Sequence, residues 1–279
     1  MSLFRAKEVI QMKKVLISAI LALSPVLALA TQWDSPTLCP GVNTSDSDQP
    51  ASLTPSGDMY KIRNYTLYFH SYSGSYSWSS TEQECSGIGV VNCIAISPDK
   101  TEGYAPLNEG NLYHLASSDG INWNQELISS EWNRNPHWAM SVTCAWWDSQ
   151  KWLYVAYEDG VVWGDAYPYD NPQEINTEGF SQYVTVNFSG NYMVVADSLD
   201  LFELTGYGDN WSGRTSIDEI NTGYEERQPV LGKIDAEEEA VLLWSAPGSV
   251  GSYDIWYSTG NSTANIQPTS LGNIKAIFK

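Results

Sequence analysis

Basic residues and histidines are scarce in this chain of 279 residues. Lysine and arginine number 14 against 33 aspartates and glutamates, which gives a net charge of −19 at pH 7. A charge of that sign repels nucleic acids and anionic membranes, so we expect neither as a partner. The three histidines, His70, His114 and His137, are too scattered to predict a zinc triad. The sequence also lacks a Gly-x-Ser-x-Gly elbow and a phosphate-binding glycine loop.

Long apolar runs are also rare. The one near the N-terminus follows Lys13-Lys14 and ends in Ala28-Leu29-Ala30, the small-x-small pattern that precedes a signal-peptidase site. A proline interrupts it, and it is short for a membrane span. We therefore predict a signal peptide over residues 1–30, with 1–11 as an upstream extension, and a secreted or periplasmic protein without membrane insertion. A retained N-terminal anchor is the alternative. Cleavage would remove four basic residues and one acidic residue. The mature chain would keep 10 basic and 32 acidic residues, which gives a net charge near −22.

Cysteine is limited to Cys39, Cys85, Cys93 and Cys144. In an oxidising compartment an even count favours disulfides, and four cysteines allow three pairings. We predict a Cys85–Cys93 bridge across the loop ECSGIGVVNC and a second bridge from Cys39 to Cys144, with free buried thiols as the alternative. Their spacing does not indicate a metal site. The acidity would suit a structural calcium ion in a central channel, but no EF-hand-like string supports one, so we predict no cofactor.

No long amphipathic helix pattern is present, and short strand patterns recur instead. An aliphatic–aromatic pair returns at steps of 45, 50, 39 and 54 residues, with a mean near 47. The pairs are Leu67-Tyr68, Leu112-Tyr113, Val162-Trp163, Leu201-Phe202 and Ile255-Trp256. Such an interval suits four short strands and their turns, which is one propeller blade. We predict an all-β, five-bladed β-propeller; a β-sandwich is the alternative.

The predicted domain boundaries follow from these repeats. Residues 31–57, rich in Ser, Thr, Pro and Asp, are predicted to be an extended lead-in, and 58–279 a single propeller. The first unit lacks an obvious first hairpin. MYKIR (59–63) supplies one strand, and NIKAIFK (273–279) is predicted to supply another. Pairing of the N- and C-terminal strands would close the ring and remove free sheet edges.

A turn within the repeat, SSDGINW at 117–123, resembles the Asp box (BNR repeat) of sialidase-like propellers, Ser-x-Asp-x-Gly-x-x-Trp, with one residue fewer between Ser and Trp. Ser118, Asp119, Gly120 and Trp123 carry the match. Degraded copies in two other turns keep Gly208, Asp209 and Trp211, and Gly74 and Trp78. The resemblance implies a structural turn on the face away from the ligand, so Asp119 is not expected to be catalytic.

The same resemblance implies that ligands bind where blade-to-blade connections converge on the axis. Two of these connections look alike, because Arg134 and Arg227 each stand two residues before a proline. We predict that these arginines, with His137 and Trp138, form a ligand-binding rim for a carboxylate or sugar hydroxyls. The alternative is that each arginine pairs with a neighbouring acid.

Twelve tryptophans make carbohydrate the leading expected partner, since exposed aromatic faces stack on sugar rings. The first hypothesis is therefore a secreted, monomeric, glycan-binding propeller of lectin type. The second is a glycoside hydrolase of sialidase-like or arabinanase-like type, with Glu225, Glu226 and Asp197 as candidate catalytic carboxylates. The third is a protein-binding scaffold propeller, which a flat, apolar face without a pocket would favour.

Overall fold

Five four-stranded antiparallel sheets make up the computed structural model, which describes residues 31–107, 111–132, 139–146, 151–166, 172–237 and 239–260. Each sheet is one blade, named here from its innermost strand outwards. Blade 1 consists of β2 (Asp48–Leu53), β3 (Met59–Arg63), β4 (Thr66–His70) and β7 (Gln83–Glu84). Between the last two strands lies a small hairpin, β5 (Tyr72–Gly74) with β6 (Ser77–Trp78). The predicted five-bladed β-propeller is confirmed.

The next three blades repeat this order without a crossover. Blade 2 consists of β8 (Ala95–Ile96), β9 (Glu102–Leu107), β10 (Asn111–Ser117) and β11 (Trp123–Ser129). Blade 3 consists of β12 (Ala139–Ala145), β13 (Trp152–Tyr157), β14 (Gly160–Asp165) and β15 (Gln173–Ile175). Blade 4 consists of β16 (Tyr183–Val186), β17 (Tyr192–Asp197), β18 (Asp200–Tyr207) and β19 (Asn210–Ser216). No helix among the described residues is long and apolar enough to cross a membrane.

Blade 5 closes the ring with a strand from the other end of the chain. Its strands are β20 (Arg227–Lys233), β21 (Ala240–Ala246), β22 (Asp254–Gly260) and, outermost, β1 (Thr37–Leu38). The Asn43 side chain continues this pairing: its amide donates to the Ile255 carbonyl at 3.0 Å, and its oxygen accepts from the Ile255 N–H at 2.6 Å. The predicted pairing of N- and C-terminal strands is therefore confirmed, whereas the predicted strand at 273–279 lies outside the described residues.

The first blade corrects one predicted boundary. Residues 31–57 are not a lead-in, because they contain β1 and the inner strand β2. The sequence does not predict β2, because polar residues at its start break the apolar alternation that is typical of a strand. Asp48 at its start is fully buried, and Lys61 Nζ of β3 lies 2.8 Å from its carboxylate. Thr44 donates to the same carboxylate through its backbone N–H and its hydroxyl.

The four cysteines are buried and free, so both predicted disulfides are wrong. The loop with two cysteines leads from the outer strand of blade 1 to the inner strand of blade 2. Cys85 therefore packs in the core between blades 1 and 2, whereas Cys93 packs with Cys144 in the core between blades 2 and 3. Cys39 lies in the core between blades 5 and 1. Burial raises the pKa of all four thiols, that of Cys85 to about 12.

Strand direction defines two faces of the propeller. The upper face carries the turns between the second and third strands of each blade and the connections from one blade to the next. The lower face carries the turns between first and second strands and between third and fourth strands. Contacts between blades agree with this assignment, since Lys100 in a lower turn of blade 2 reaches Asp58 in a lower turn of blade 1 at 2.6 Å.

Candidate ligand-binding face

The central channel is narrow where the structure describes it. A cavity of about 30 Å³ lies between the five inner strands, enough for no more than a few water molecules. A second space of about 20 Å³ marks its upper mouth, where Asn92, Ser141 and Gln228 supply polar groups. Apolar side chains dominate the channel wall; they include Leu53, Ile96, Val142, Val186 and Leu231. A sugar ring does not fit this part of the channel.

Three of the four predicted binding residues, Arg134, His137 and Trp138, lie outside the described residues. The arrangement of two arginines as a clamp therefore stays a prediction. The fourth residue, Arg227, begins β20 beside the upper mouth of the channel. Arg227 therefore lies on the upper face, and its role as a ligand-binding residue stays a prediction.

The Arg227 guanidinium is already engaged. It donates to the Glu225 carboxylate and lies over the ring of Tyr253, 4.6 Å from the centroid. The Tyr253 hydroxyl donates to the same carboxylate at 3.1 Å. The hydrogen bond to Glu225 raises the pKa of Arg227. This pairing fits the alternative in which each arginine neutralises a neighbouring acid.

The candidate catalytic carboxylates all reach the upper face, but each is held differently. Asp197, at the end of β17, forms an ion pair with Arg214 at 2.7 Å. Glu225 is paired with Arg227, as described above. Glu226 has no cation among its described contacts. Glycoside hydrolysis requires two matched carboxylates, and a catalytic role for any of these three stays a prediction.

Glu226 is a buried carboxyl group with one unsatisfied oxygen. Only 1% of the residue is exposed. Its Oε1 accepts from the Thr222 hydroxyl at 2.5 Å and from the Thr222 N–H at 3.3 Å. Its Oε2 is buried and has no hydrogen-bond partner in the described structure. Burial raises the pKa of Glu226 to about 7 because an ionised carboxylate would lose its hydration there.

Exposed apolar side chains concentrate on the upper face. Among the described residues, eight large apolar side chains are exposed, and six of them lie in upper turns or blade connections. These six are Tyr65, Val90, Phe180, Leu199, Tyr224 and Val250. The other two are Leu127 on an outer strand and Tyr207 near a lower turn. Sequence reasoning missed the six, although bulky apolar residues among Asn, Ser, Gly and Asp in turns were the available signal.

Three of these side chains, Phe180, Leu199 and Tyr224, form what we call the blade 4 patch. They are 44%, 50% and 65% exposed. Arg214 links two of their loops, because one guanidinium nitrogen donates to the Phe180 carbonyl at 3.1 Å and contacts Asp197 at 2.7 Å. The backbone N–H of residue 226 donates to the Leu199 carbonyl at 3.1 Å, which ties the loop of Tyr224 to that of Leu199.

The turn that resembles an Asp box lies on the lower face of blade 2. The Asp119 carboxylate accepts the backbone N–H groups of Ile121 and Asn122, each at 2.8 Å, and these bonds lower the pKa of Asp119. The hydroxyl that joins this network belongs to Ser117 rather than to the predicted Ser118. These contacts fit a structural role in the turn.

The tryptophan after this turn packs against the preceding blade. The ring of Trp123 lies 6.5 Å from that of Tyr60, whose hydroxyl donates to the Gly120 carbonyl at 2.9 Å. Gly120 has φ +76°, and a Cβ there would lie 2.7 Å from the Tyr60 hydroxyl. The same arrangement recurs between blades 3 and 4, where the Tyr154 ring lies 5.9 Å from the Trp211 ring and its hydroxyl contacts the carbonyl of the preceding Gly208 at 3.3 Å. Asp209 occupies this second turn.

Among the described residues, no group of three or more His, Cys, Asp or Glu side chains is arranged to hold a metal ion. A structural calcium ion therefore gains no support from the described side chains. Two of the histidines illustrate this. His70, in blade 1, donates its Nδ1–H to the Ser79 carbonyl, whereas His114, in blade 2, contacts Glu102 of the same blade.

Comparison with known proteins identifies no family. No family model matches the chain, and no curated protein matches it. Similar solved structures include TolB from Acinetobacter baumannii, with TM-score 0.48 and 10% identity over 79% of this chain and 56% of that one. Kuenenia stuttgartiensis hydrazine synthase has TM-score 0.41 and 11% identity over 71% and 55%. The Dos1 propeller has TM-score 0.42 and 10% identity over 78% and 70%.

The chain spans little more than half the length of the first two of these proteins. At such low identities and TM-scores, the likeness carries no argument about function. Membership of the sialidase-like family stays a prediction that rests on the turn motif alone.

Proposed function

We propose that this chain is an exported, protein-binding β-propeller that holds its partner on the upper face. The observation that carries the proposal is the position of six of the eight exposed large apolar side chains in upper loops. Loops usually expose polar groups, and apolar surface that gathers on one face marks an interaction site. Export rests on the signal-peptide pattern at residues 1–30.

Two further features favour a protein partner over a small ligand. The described channel leaves about 30 Å³ between the inner strands, too little for a sugar. On the upper face, the guanidiniums of Arg214 and Arg227 are both paired with carboxylates, so neither is free to bind an anionic ligand without breaking an ion pair. A partner protein needs neither a deep pocket nor a free cation.

Site-directed photo-crosslinking tests this proposal. A photo-crosslinking amino acid is placed at Leu199 and, in a matched control, at Leu127, which is 52% exposed on the outer strand β11. We expect one protein to be cross-linked from position 199 and not from 127 when the cells that make the chain are irradiated. That protein is then purified and titrated against wild type and Leu199→Ser. Equal cross-linking from both positions, or equal affinity for both forms, would contradict the proposal.

The glycan-binding hypothesis keeps one supporting observation, on the lower face. Trp146 is partly buried there, with its ring 5.8 Å from Tyr104, and Lys151 lies 5.9 Å from the Trp146 ring. Glu102 accepts hydrogen bonds from Lys151 and from the Tyr104 hydroxyl. An aromatic ring beside charged groups is a surface to which sugars bind. A glycan array with wild type and Trp146→Ala tests it; signals that the variant retains would refute this location.

A further inference from the structure

The blade 4 patch stands on a fixed base. The Asn221 side chain donates to the Leu201 carbonyl at 3.0 Å and accepts its N–H at 2.7 Å, which fastens the connection carrying Tyr224 to β18. Ser198, next to Leu199, adopts φ +57°, a left-handed conformation that is uncommon for this residue type. Loops held this way lose little conformational entropy when a partner binds.

The surroundings of the patch are strongly acidic. Between residues 172 and 232 the sequence has ten acidic residues, two arginines and no lysine. Both arginines are neutralised, Arg214 by Asp197 and Arg227 by Glu225. Exposed carboxylates lie on the same connections as Phe180 and Tyr224; they are Glu178, Asp218 and Glu219. The patch is thus an apolar surface with a negative rim.

We infer that the blade 4 patch binds a protein segment that carries lysine or arginine beside apolar side chains. The inference rests on the proposed protein-binding function and specifies the chemistry of the partner. Apolar side chains of that segment would cover the two exposed rings and the Leu199 side chain, which yields the affinity. Its cations would meet the exposed carboxylates of the rim, which sets the choice of partner and makes binding weaken as salt screens the charges.

A random peptide library displayed on phage tests the inference without a known partner. The library is selected on the purified protein, and binders to a Leu199→Ser/Tyr224→Ser double variant are removed. Leu127→Ser provides the matched control, since it removes an exposed leucine far from the patch. Far-ultraviolet circular dichroism establishes that all three proteins keep their strands. The most enriched sequence is then synthesised and titrated by fluorescence anisotropy at low and high salt.

We expect the patch-dependent peptides to be enriched in lysine or arginine together with apolar residues. The synthetic peptide should bind the double variant at least about tenfold more weakly than wild type, bind Leu127→Ser normally, and weaken as salt rises. Enrichment of neutral or acidic peptides, equal binding by the double variant, or recovery of no patch-dependent peptide would overturn the inference. An acidic partner cross-linked through position 199 would overturn it as well, yet would leave the proposed protein-binding function standing.

Discussion

Replacing Glu226 with glutamine should make the propeller less sensitive to rising pH. The wild-type carboxyl is 1% exposed, and its Oε2 has no partner in the described structure. Glutamine keeps an acceptor for the Thr222 hydroxyl but cannot ionise. A matched control is Glu219→Gln, which removes the same charge from an exposed position of the same connection.

The sign of the effect follows from the raised pKa. Burial raises the pKa of Glu226 from 4.5 to about 7, so between these values the folded chain holds a proton that the unfolded chain has released. The stability contributed by the neutral carboxyl is complete below the unfolded pKa and is lost as pH rises to about 7. Because a shift of one pKa unit corresponds to about 1.4 kcal/mol, the shift from 4.5 to about 7 corresponds to a loss of about 3 kcal/mol.

Urea unfolding followed by tryptophan fluorescence at pH 4.5 and pH 8 measures this loss. We expect the free energy of unfolding of Glu226→Gln, relative to wild type, to increase by about 3 kcal/mol between the two pH values. Glu219→Gln should change far less over the same interval. If the difference between Glu226→Gln and wild type is the same at both pH values, the carboxyl is solvated or paired in solution and the reasoning fails.

Three further predictions concern the core. Tyr60→Phe should lower the free energy of unfolding by about 1 to 2 kcal/mol, because it removes a buried 2.9 Å hydrogen bond to the next blade; Tyr154→Phe, with a 3.3 Å bond, should cost less. Lys61→Met should cost about 3 to 5 kcal/mol by leaving Asp48 buried without its cation, and Asp48→Asn in the same chain should recover part of that loss. The four buried cysteines should all be alkylated after unfolding in denaturant without reductant, and none before it.

Each of these predictions has an outcome that would contradict it. Equal losses for the two tyrosine variants would mean that hydrogen-bond length does not govern the cost. A Lys61→Met protein as stable as wild type would show that the Asp48 carboxylate is solvated or protonated. Alkylation of fewer than four cysteines in the unfolded, unreduced chain would reinstate at least one of the predicted disulfides.

The repeat was predictable because the third strand of every blade buries an aliphatic side chain against a neighbouring sheet. Leu67, Leu112, Val162, Leu201 and Ile255 all lie on the third strand of their blades, and all are at most 2% exposed. Leu67, Leu112, Leu201 and Ile255 each pack toward the following blade, so an aliphatic residue recurs at this place. In blade 3, Val162 packs toward the preceding blade, and its neighbour Val161 takes the equivalent place. That spacing was sufficient to predict the number of blades.

Features that depend on tertiary partners were not predictable in this way. The inner strand Asp48–Leu53 is polar at its start because Lys61, thirteen residues later, neutralises Asp48. Cys85 and Cys93 are close in sequence, yet the connection between them crosses from one core to the next. The blade 4 patch comes from three loops, which are joined by hydrogen bonds from the Arg214 side chain and from the backbone N–H of Glu226.

Ring closure by β1 has a consequence for the order of events in folding. Asn43 and Ile255, which pair side chain to backbone, are separated by 212 residues. The early strand must therefore wait for nearly the whole chain to be synthesised before it finds its place, and contacts of such long range form slowly. Until then the outer edge of β22 stays uncovered and can pair with other chains.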